Sequence, residues 1–154
     1  MKIALSAIGI ILVFIYAIGS GLWVNTGDNW YQSLNSPQWQ PPDIVFGLIW
    51  PYNFIMLGTA SVIVATRLNT RWSATYLAIL ALSIGAALTW AYQFYRPHNL
   101  SVASSALAVA AFLTLPIVLI TWKASLPVGL ALVPYQGWLI TATFLSFSYA
   151  KLNG

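Results

Sequence analysis

The sequence predicts an all-α integral membrane protein, a bundle of five transmembrane helices with a long aromatic loop between helices 1 and 2. Composition is the first observation: 60% of the residues are hydrophobic and 5% are charged, with a mean hydropathy of +0.80, whereas soluble domains carry about 25% charge. The second is that the apolar residues form five runs, each near the roughly 20 residues that cross a bilayer. These runs are continuously apolar, which indicates helices, because strands of membrane barrels alternate over about ten residues.

The predicted spans lie in a single domain, 1–154, at about 3–24, 44–66, 72–95, 100–122 and 128–150. The first span has an alternative interpretation as a cleaved secretory signal, because Lys2 precedes it and Ala17-Ile18-Gly19 resembles a small-residue cleavage site. Its apolar run exceeds the usual length of about 7 to 15 residues for such a signal. A retained transmembrane helix is therefore the favoured prediction.

Prolines mark the ends of several spans. Pro41 and Pro42 precede Asp43 at the second span, where proline suits the first turn and a carboxylate suits the positive end of the helix dipole. Pro97 follows the third span and Pro127 opens the fifth. Other prolines fall inside spans, where we expect them to kink the helices and leave room for a cavity; these are Pro51, Pro116 and Pro134.

Basic residues in the short connections predict the orientation. One side of the membrane would carry Lys2, Arg67, Arg71 and Lys123, and the other side Arg96 and Lys151. By the positive-inside rule this places the N-terminus in the cytoplasm and the aromatic loop outside. The net charge of +4 is therefore a topology signal. It does not indicate a nucleic-acid partner, which would require a basic stripe on a folded face.

Several functions are excluded by residues that the chain lacks. No charged residue lies in the middle of a span, which argues against a driven ion pump or proton-coupled carrier. The chain has no Cys, so thiol catalysis, iron–sulfur ligation and disulfides are excluded. The single His98 is interpreted as an interfacial polar residue, since one imidazole cannot clamp a haem iron from both sides. No hydrolase, kinase, phosphate-loop or zinc motif is present, and we predict no metal site and no required cofactor.

The loop between the first two spans is unusually rich in aromatic residues and proline. Residues 30–51 include three Trp, one Tyr and four Pro, with no Lys or Arg. Such a segment is too stiff and too aromatic for a solvated linker, which favours Gly, Ser and charge. It indicates a cover over something flat and apolar.

Three spans also present aromatic stripes at helical spacing. They comprise Phe46, Trp50, Asn53, Phe54, Leu57 and Ser61 on the second span, Trp90, Gln93 and Phe94 on the third, and Tyr135, Trp138, Ala142, Leu145, Ser146 and Tyr149 on the fifth. One interpretation is packing or an interfacial aromatic belt. Trp50 and Trp138 lie deeper than a belt requires, and a buried indole N–H needs a partner, which favours a cavity open to a polar ligand or water.

Two motifs resemble a known family. The first is Trp30-Tyr31-x-x-Leu34-x-x-Pro37-x-Trp39-x-Pro41-Pro42-x-x-x-Phe46-Gly47-x-x-Trp50. The second is Pro134-Tyr135-x-x-Trp138-x-x-x-Ala142-Thr143-x-Leu145-Ser146. With five spans and a long first loop, the chain resembles the tryptophan-rich sensory protein family, also called translocator protein or peripheral benzodiazepine receptor (TspO/MBR), over essentially its whole length.

The resemblance implies a five-helix bundle, usually a homodimer, that binds porphyrins such as protoporphyrin IX, sterols in animal members, and synthetic isoquinolines and benzodiazepines. Ala87 and Ser146 stand where many relatives have Asn, so ligand orientation and affinity are expected to differ here. The pocket implied by the resemblance lies between the loop and the helices and is lined by Trp30, Tyr31, Pro41, Phe46, Trp50, Asn53, Phe54, Ala87, Trp90, Phe94, Trp138, Ala142, Leu145 and Ser146.

Three functions stay open at the level of sequence. The first is a receptor or sensor for porphyrins and similar flat hydrophobic ligands. The second is an enzyme that degrades porphyrin with light and oxygen, since Trp50 and Trp138 match tryptophans implicated in that reaction. The third is facilitated transport of tetrapyrroles or sterols. A sterol-recognition pattern at Leu145-x-x-x-Tyr149-x-Lys151 is weak support, because Leu88-x-x-x-Tyr92-x-x-x-Arg96 satisfies the same rule.

Small residues four apart suggest where helices approach closely. Ala81-x-x-x-Gly85 on the third span and Ala106-x-x-x-Ala110 on the fourth are such patterns. Each serves equally well for packing within one chain or between two. The homodimer is therefore an expectation that rests mainly on the resemblance.

Overall fold

A computed structural model describes residues 1–154. Five of its helices are long and apolar enough to cross a membrane, and one short helix lies between the first two of them. There are no strands, which confirms the predicted all-α membrane class. The helices are α1 (Lys2–Trp23), α2 (Asn29–Ser33), α3 (Asp43–Arg67), α4 (Thr70–Tyr95), α5 (Leu100–Ala124) and α6 (Leu126–Asn153).

The ends of the long helices differ from the predicted ends by at most three residues. Hydropathy locates the apolar middle of a helix, whereas polar caps set its ends. The side chains of Asn69 and Asn99 accept hydrogen bonds from the N–H groups of Trp72 and Val102 and so begin α4 and α5. The short helix α2 was not predicted, although Asp28 caps it in the same way.

The five long helices form a closed ring in the order α1, α4, α5, α6, α3. The most extensive packing joins α5 to α4 and α6, while α1 packs against α3 and α4. The apolar core draws buried side chains from every long helix, among them Val13, Leu57, Leu80, Leu107 and Leu132. The contact between α3 and α6 is smaller, and both helices border a cavity in the bundle.

Glycines mark two of the tightest helix contacts. A Cβ atom on Gly9 would lie 2.4 Å from Cβ of Ser61, where α1 crosses α3. A Cβ atom on Gly129 would lie 2.6 Å from Cα of Trp122, where α6 folds back on α5. Only a residue without a side chain permits these separations, so both glycines are required for packing.

The prolines inside helices do not terminate them. Pro51, Pro116 and Pro134 lie within α3, α5 and α6, which continue on both sides. A proline removes one backbone donor, and neighbouring side chains can compensate in a membrane protein. The hydroxyl of Tyr52 donates to the carbonyl of Ala131 and so joins α3 to α6 in the turn before Pro134.

The two small-residue patterns have different surroundings. Ala110 is fully buried between α4 and α5, and the hydroxyl of Ser83 donates to its carbonyl oxygen at 3.2 Å. Ala81 and Gly85 are exposed on the outer face of α4, and a Cβ atom on Gly85 would meet no atom within 4 Å. The pattern on α5 therefore packs within the chain, whereas the pattern on α4 faces outward.

Candidate ligand-binding cavity

A cavity of about 690 Å³ lies between the α1–α3 loop and the bundle. Its wall is formed by α1, the loop with α2, α3, α4 and α6, while α5 contributes nothing to it. The volume falls within the usual range of about 300 to 1,000 Å³ for small-molecule sites. The cavity therefore has the size and the largely apolar wall of a ligand-binding site.

Most of the residues predicted for a pocket meet at this cavity. The lining includes Tyr31 from α2, Phe46, Trp50 and Phe54 from α3, Trp90 and Phe94 from α4, and Trp138, Ala142, Leu145 and Ser146 from α6. The predicted residues Trp30, Pro41, Asn53 and Ala87 do not line it.

Those four residues occupy other environments. Trp30 stacks on His98 with ring centroids 3.6 Å apart and meets the edge of Phe94. Pro41 is half-buried in the loop. Asn53 and Ala87 are buried inside the bundle, at 0% and 1% exposure, because their helix faces turn toward neighbouring helices.

His98 has a more specific environment than an interfacial polar residue needs. It is exposed, as expected of that position, and has a φ of 60°, which is uncommon for a residue other than Gly. Its ring is nearly parallel to Trp30, with 7° between the planes. This stack fixes α2 against the end of α4.

A cluster of aromatic rings forms the inner wall of the cavity. Trp50 and Trp138 meet edge to face, with centroids 6.4 Å apart. Trp50 also stacks with Phe54 at 5.7 Å and contacts the edge of Tyr16 at 6.0 Å, while Phe46 meets Trp138 at 5.0 Å. Contacts between aromatic rings hold this wall in place, and they join α1, α3 and α6 around the cavity.

The cavity-lining indoles of α4 and α6, Trp90 and Trp138, differ in their hydrogen bonds. The Nε1–H group of Trp90 donates to the hydroxyl of Ser146 at 3.3 Å, and that hydroxyl lies 2.9 Å from the hydroxyl of Ser104. The Nε1–H group of Trp138 is buried and has no partner. Both polar atoms of the Asn53 amide are likewise buried without partners. Such groups are uncommon, because burying an unpaired donor or acceptor costs about 1 to 3 kcal/mol.

The loop is held to the bundle by aromatic contacts and a few hydrogen bonds. Tyr31 packs on Tyr95 and Tyr149 with centroids 5.9 and 6.1 Å away, and the hydroxyl of Tyr149 donates to the side-chain carbonyl of Gln40. The backbone N–H of Asn35 donates to Oδ1 of Asn153 at 2.8 Å, and Nδ2 of Asn153 donates to the carbonyl of Asn35 at 2.9 Å. The outer wall of the cavity is thus attached to the end of α6.

Sequence reasoning missed several lining residues, notably Tyr16, Tyr95, Tyr149 and Gln40. Tyr149 belongs to the aromatic face recognised on the fifth span, so its spacing was an available signal. Tyr16 had no such signal, because α1 has no aromatic residue three or four positions away from it. Its place at the cavity follows only from how α1 packs beside α3.

The fold and the geometry of the cavity define a class of protein. It is a polytopic helical membrane protein with an aromatic cavity beneath its first long loop. A sequence profile of the TspO/MBR family matches residues 7–152. The chain belongs to the TspO/MBR family, which confirms the resemblance noted in its motifs.

Similar proteins occur in distantly related organisms. The chain is 27% identical to the uncharacterized membrane protein YtaB of Bacillus subtilis over 150 residues, which cover 95% of this chain and 97% of the relative. It is 31% identical to the tryptophan-rich sensory protein of Cereibacter sphaeroides, covering 82% and 78% of the two chains. It is 27% identical to the translocator protein of Ovis aries, covering 79% and 73%. The similarity therefore spans most of the bundle in each case.

Proposed function

We propose that this protein is a membrane receptor that binds porphyrins and similarly flat hydrophobic molecules in the cavity beneath the loop. The observation that carries the proposal is the aromatic wall, in which Trp50, Trp90 and Trp138 line one space of about 690 Å³. Each aromatic pair contributes about 0.5 to 1.5 kcal/mol beyond the burial of its area. Several such contacts around one macrocycle bind it without a metal ligand.

Protoporphyrin IX is expected to quench the tryptophan fluorescence of the purified protein with saturable, micromolar binding. Trp50→Phe and Trp138→Phe should each weaken the Kd about two- to tenfold, because each removes part of the aromatic surface in contact with the ligand. The measurement is the Kd from a titration in detergent or lipid nanodiscs, since the quenching amplitude changes with the number of indoles.

Trp72→Phe is the matched control for these titrations. Trp72 lies at the opposite end of the bundle, 41% exposed beneath the ammonium group of Lys123, and its replacement should leave the Kd unchanged. Equal affinities of the wild type and both cavity variants would refute the proposed site.

A second candidate function is the oxidation of bound porphyrin by dioxygen in light. It is favoured by the contact between Trp50 and Trp138, because two indoles at the same cavity wall present oxidisable rings to one ligand. Illumination of the complex should then bleach the porphyrin absorbance faster than illumination of porphyrin in empty micelles. The excess rate should fall without oxygen and in Trp138→Phe at saturating porphyrin. Equal bleaching rates with and without protein would refute this enzymatic function and leave the receptor as the proposed function.

The outward-facing small residues on α4 support a homodimer as part of this proposal. Because the chain has no Cys, Gly85→Cys supplies a unique thiol on that face, and oxidation in native membranes should give a crosslinked dimer. Gly137→Cys is the control, since Gly137 is exposed on α6 and has equal space around it. Crosslinking at both positions, or at neither, would argue against a specific α4 interface.

A further inference from the structure

The cavity has an unbalanced charge. Asp43 is the single formally charged residue among those that line it, and no Lys, Arg or His lines it. The loop contributes Val24, Thr26, Tyr31, Gln32, Leu34, Ser36 and Gln40, none of which is charged. A ligand in this cavity therefore meets one carboxylate and no cation.

The basic residues at this end of the molecule lie elsewhere. Arg96, just beyond α4, is exposed, and its guanidinium donates to the carbonyl of Leu22 at 3.4 Å. Lys151 is exposed in the last turn of α6, and His98 stacks on the outer side of the loop helix against Trp30. None of them lines the cavity, so none offers a direct ion pair to a ligand carboxylate inside it.

Asp43 also cancels a second feature that could attract an anion, which is the partial positive charge at the start of α3. Asp43 is the first residue of α3 and the acidic residue of its first turn. The start of a helix carries a partial positive charge of about half a unit, which attracts anions. Here that charge is already offset by the Asp43 carboxylate, whose full negative charge exceeds it.

We propose that Asp43 makes this cavity select among flat aromatic ligands by the charge of their polar edge. A cationic edge is preferred to an uncharged edge, and an uncharged edge is preferred to a carboxylate. This inference rests on the proposed function, because it concerns which macrocycles the same cavity accepts. Among porphyrins it predicts that esters and amine-bearing amides bind more tightly than the free dicarboxylic acids. Asp43 is thus a specificity-determining residue at the mouth of the site.

The test compares three probes that share one macrocycle, namely protoporphyrin IX, its dimethyl ester and its diamide with two terminal amines. Each is titrated into the full-length protein in uncharged nanodiscs at low ionic strength. Two unit charges about 4 Å apart interact by about 1 kcal/mol even in bulk water. Asp43→Asn should therefore tighten the Kd of the diacid about fivefold, weaken that of the diamine about fivefold, and change that of the ester less than twofold.

Asp28→Asn is the matched control. It removes the same charge from the same end of the molecule, lies outside the cavity, and retains the N-cap of α2 because Asn caps as well as Asp. Its Kd values should equal those of the wild type. Equal shifts in both variants would indicate a general surface potential and overturn the role of Asp43, as would unchanged affinities in Asp43→Asn.

The outcomes also separate this inference from the function on which it rests. If the wild type binds none of the three macrocycles, the proposed porphyrin receptor is wrong. If it binds all three with the same affinity, the receptor stands and charge selection fails. If the diacid binds most tightly, the cavity recognises carboxylates by groups other than those lining it, and the inference is overturned.

Discussion

Gly129→Ala should destabilise the bundle, whereas Gly137→Ala on the same helix should stabilise it. The added Cβ at position 129 would lie 2.6 Å from Cα and 2.9 Å from the backbone N of Trp122. Backbone cannot rotate away as a flexible side chain can, so α5 and α6 must separate. Overpacking of this kind costs about 1 to 3 kcal/mol, and we expect the upper half of that range.

Gly137 provides the same chemical change without the clash. It is exposed in the middle of α6, and a Cβ atom there meets nothing within 4 Å. Replacing an interior helical Gly with Ala raises the free energy of unfolding by about 0.5 to 1 kcal/mol, because an unfolded chain with Ala has fewer conformations to lose when it folds.

Thermal unfolding in one detergent, followed by near-ultraviolet circular dichroism, compares the two variants. We expect Tm to fall by at least about 4 °C for Gly129→Ala and to rise by about 1 to 3 °C for Gly137→Ala. Shifts of the same sign would mean that α5 and α6 do not cross closely at Gly129 and Trp122.

Ala142→Phe should abolish ligand binding while leaving the fold intact. Ala142 is half-buried on the cavity side of α6, one helical turn after Trp138. A phenyl group at this position occupies the space that a macrocycle would need against the indole. The affinity for protoporphyrin should fall at least tenfold, which corresponds to about 1.4 kcal/mol.

Ala7→Phe is the control for this prediction, because Ala7 is exposed on α1 and does not line the cavity. Titration by absorbance and fluorescence should give wild-type affinity for it. Tm should remain near the wild-type value in both variants. Wild-type binding by a folded Ala142→Phe protein would place the ligand outside this cavity.

The architecture was predictable because each span is a long apolar run, and hydropathy alone locates such runs. Periodicity then placed Trp50, Phe54 and Trp138 on shared helix faces, and the structure brings them to one cavity. Periodicity did not separate the cavity from the bundle interior. Asn53 follows Trp50 by three residues yet is buried among helices, because only the position of the neighbouring helices decides which part of a broad face borders empty space.

Contacts between distant segments were beyond sequence reasoning for the same reason. The stack of Trp30 on His98 joins the loop to the end of α4, and neither residue carries a local signal for the other. Tyr16 reaches the cavity beside Trp50 and Phe54, although nothing in its helix marks it. Asp43 was recognised as a helix-start residue, but its place in the cavity wall follows only from the tertiary structure.

The paired amide contacts between Asn35 and Asn153 make the end of α6 and the loop one cooperative unit. The side chain of Asn153 also donates to the carbonyl of Tyr149 within the last turn. Fraying of that turn and release of the loop therefore both break hydrogen bonds of the Asn153 side chain. Local unfolding of the two segments is therefore thermodynamically linked. A ligand that holds the loop closed should slow amide hydrogen exchange at residues 151–153, which do not line the cavity.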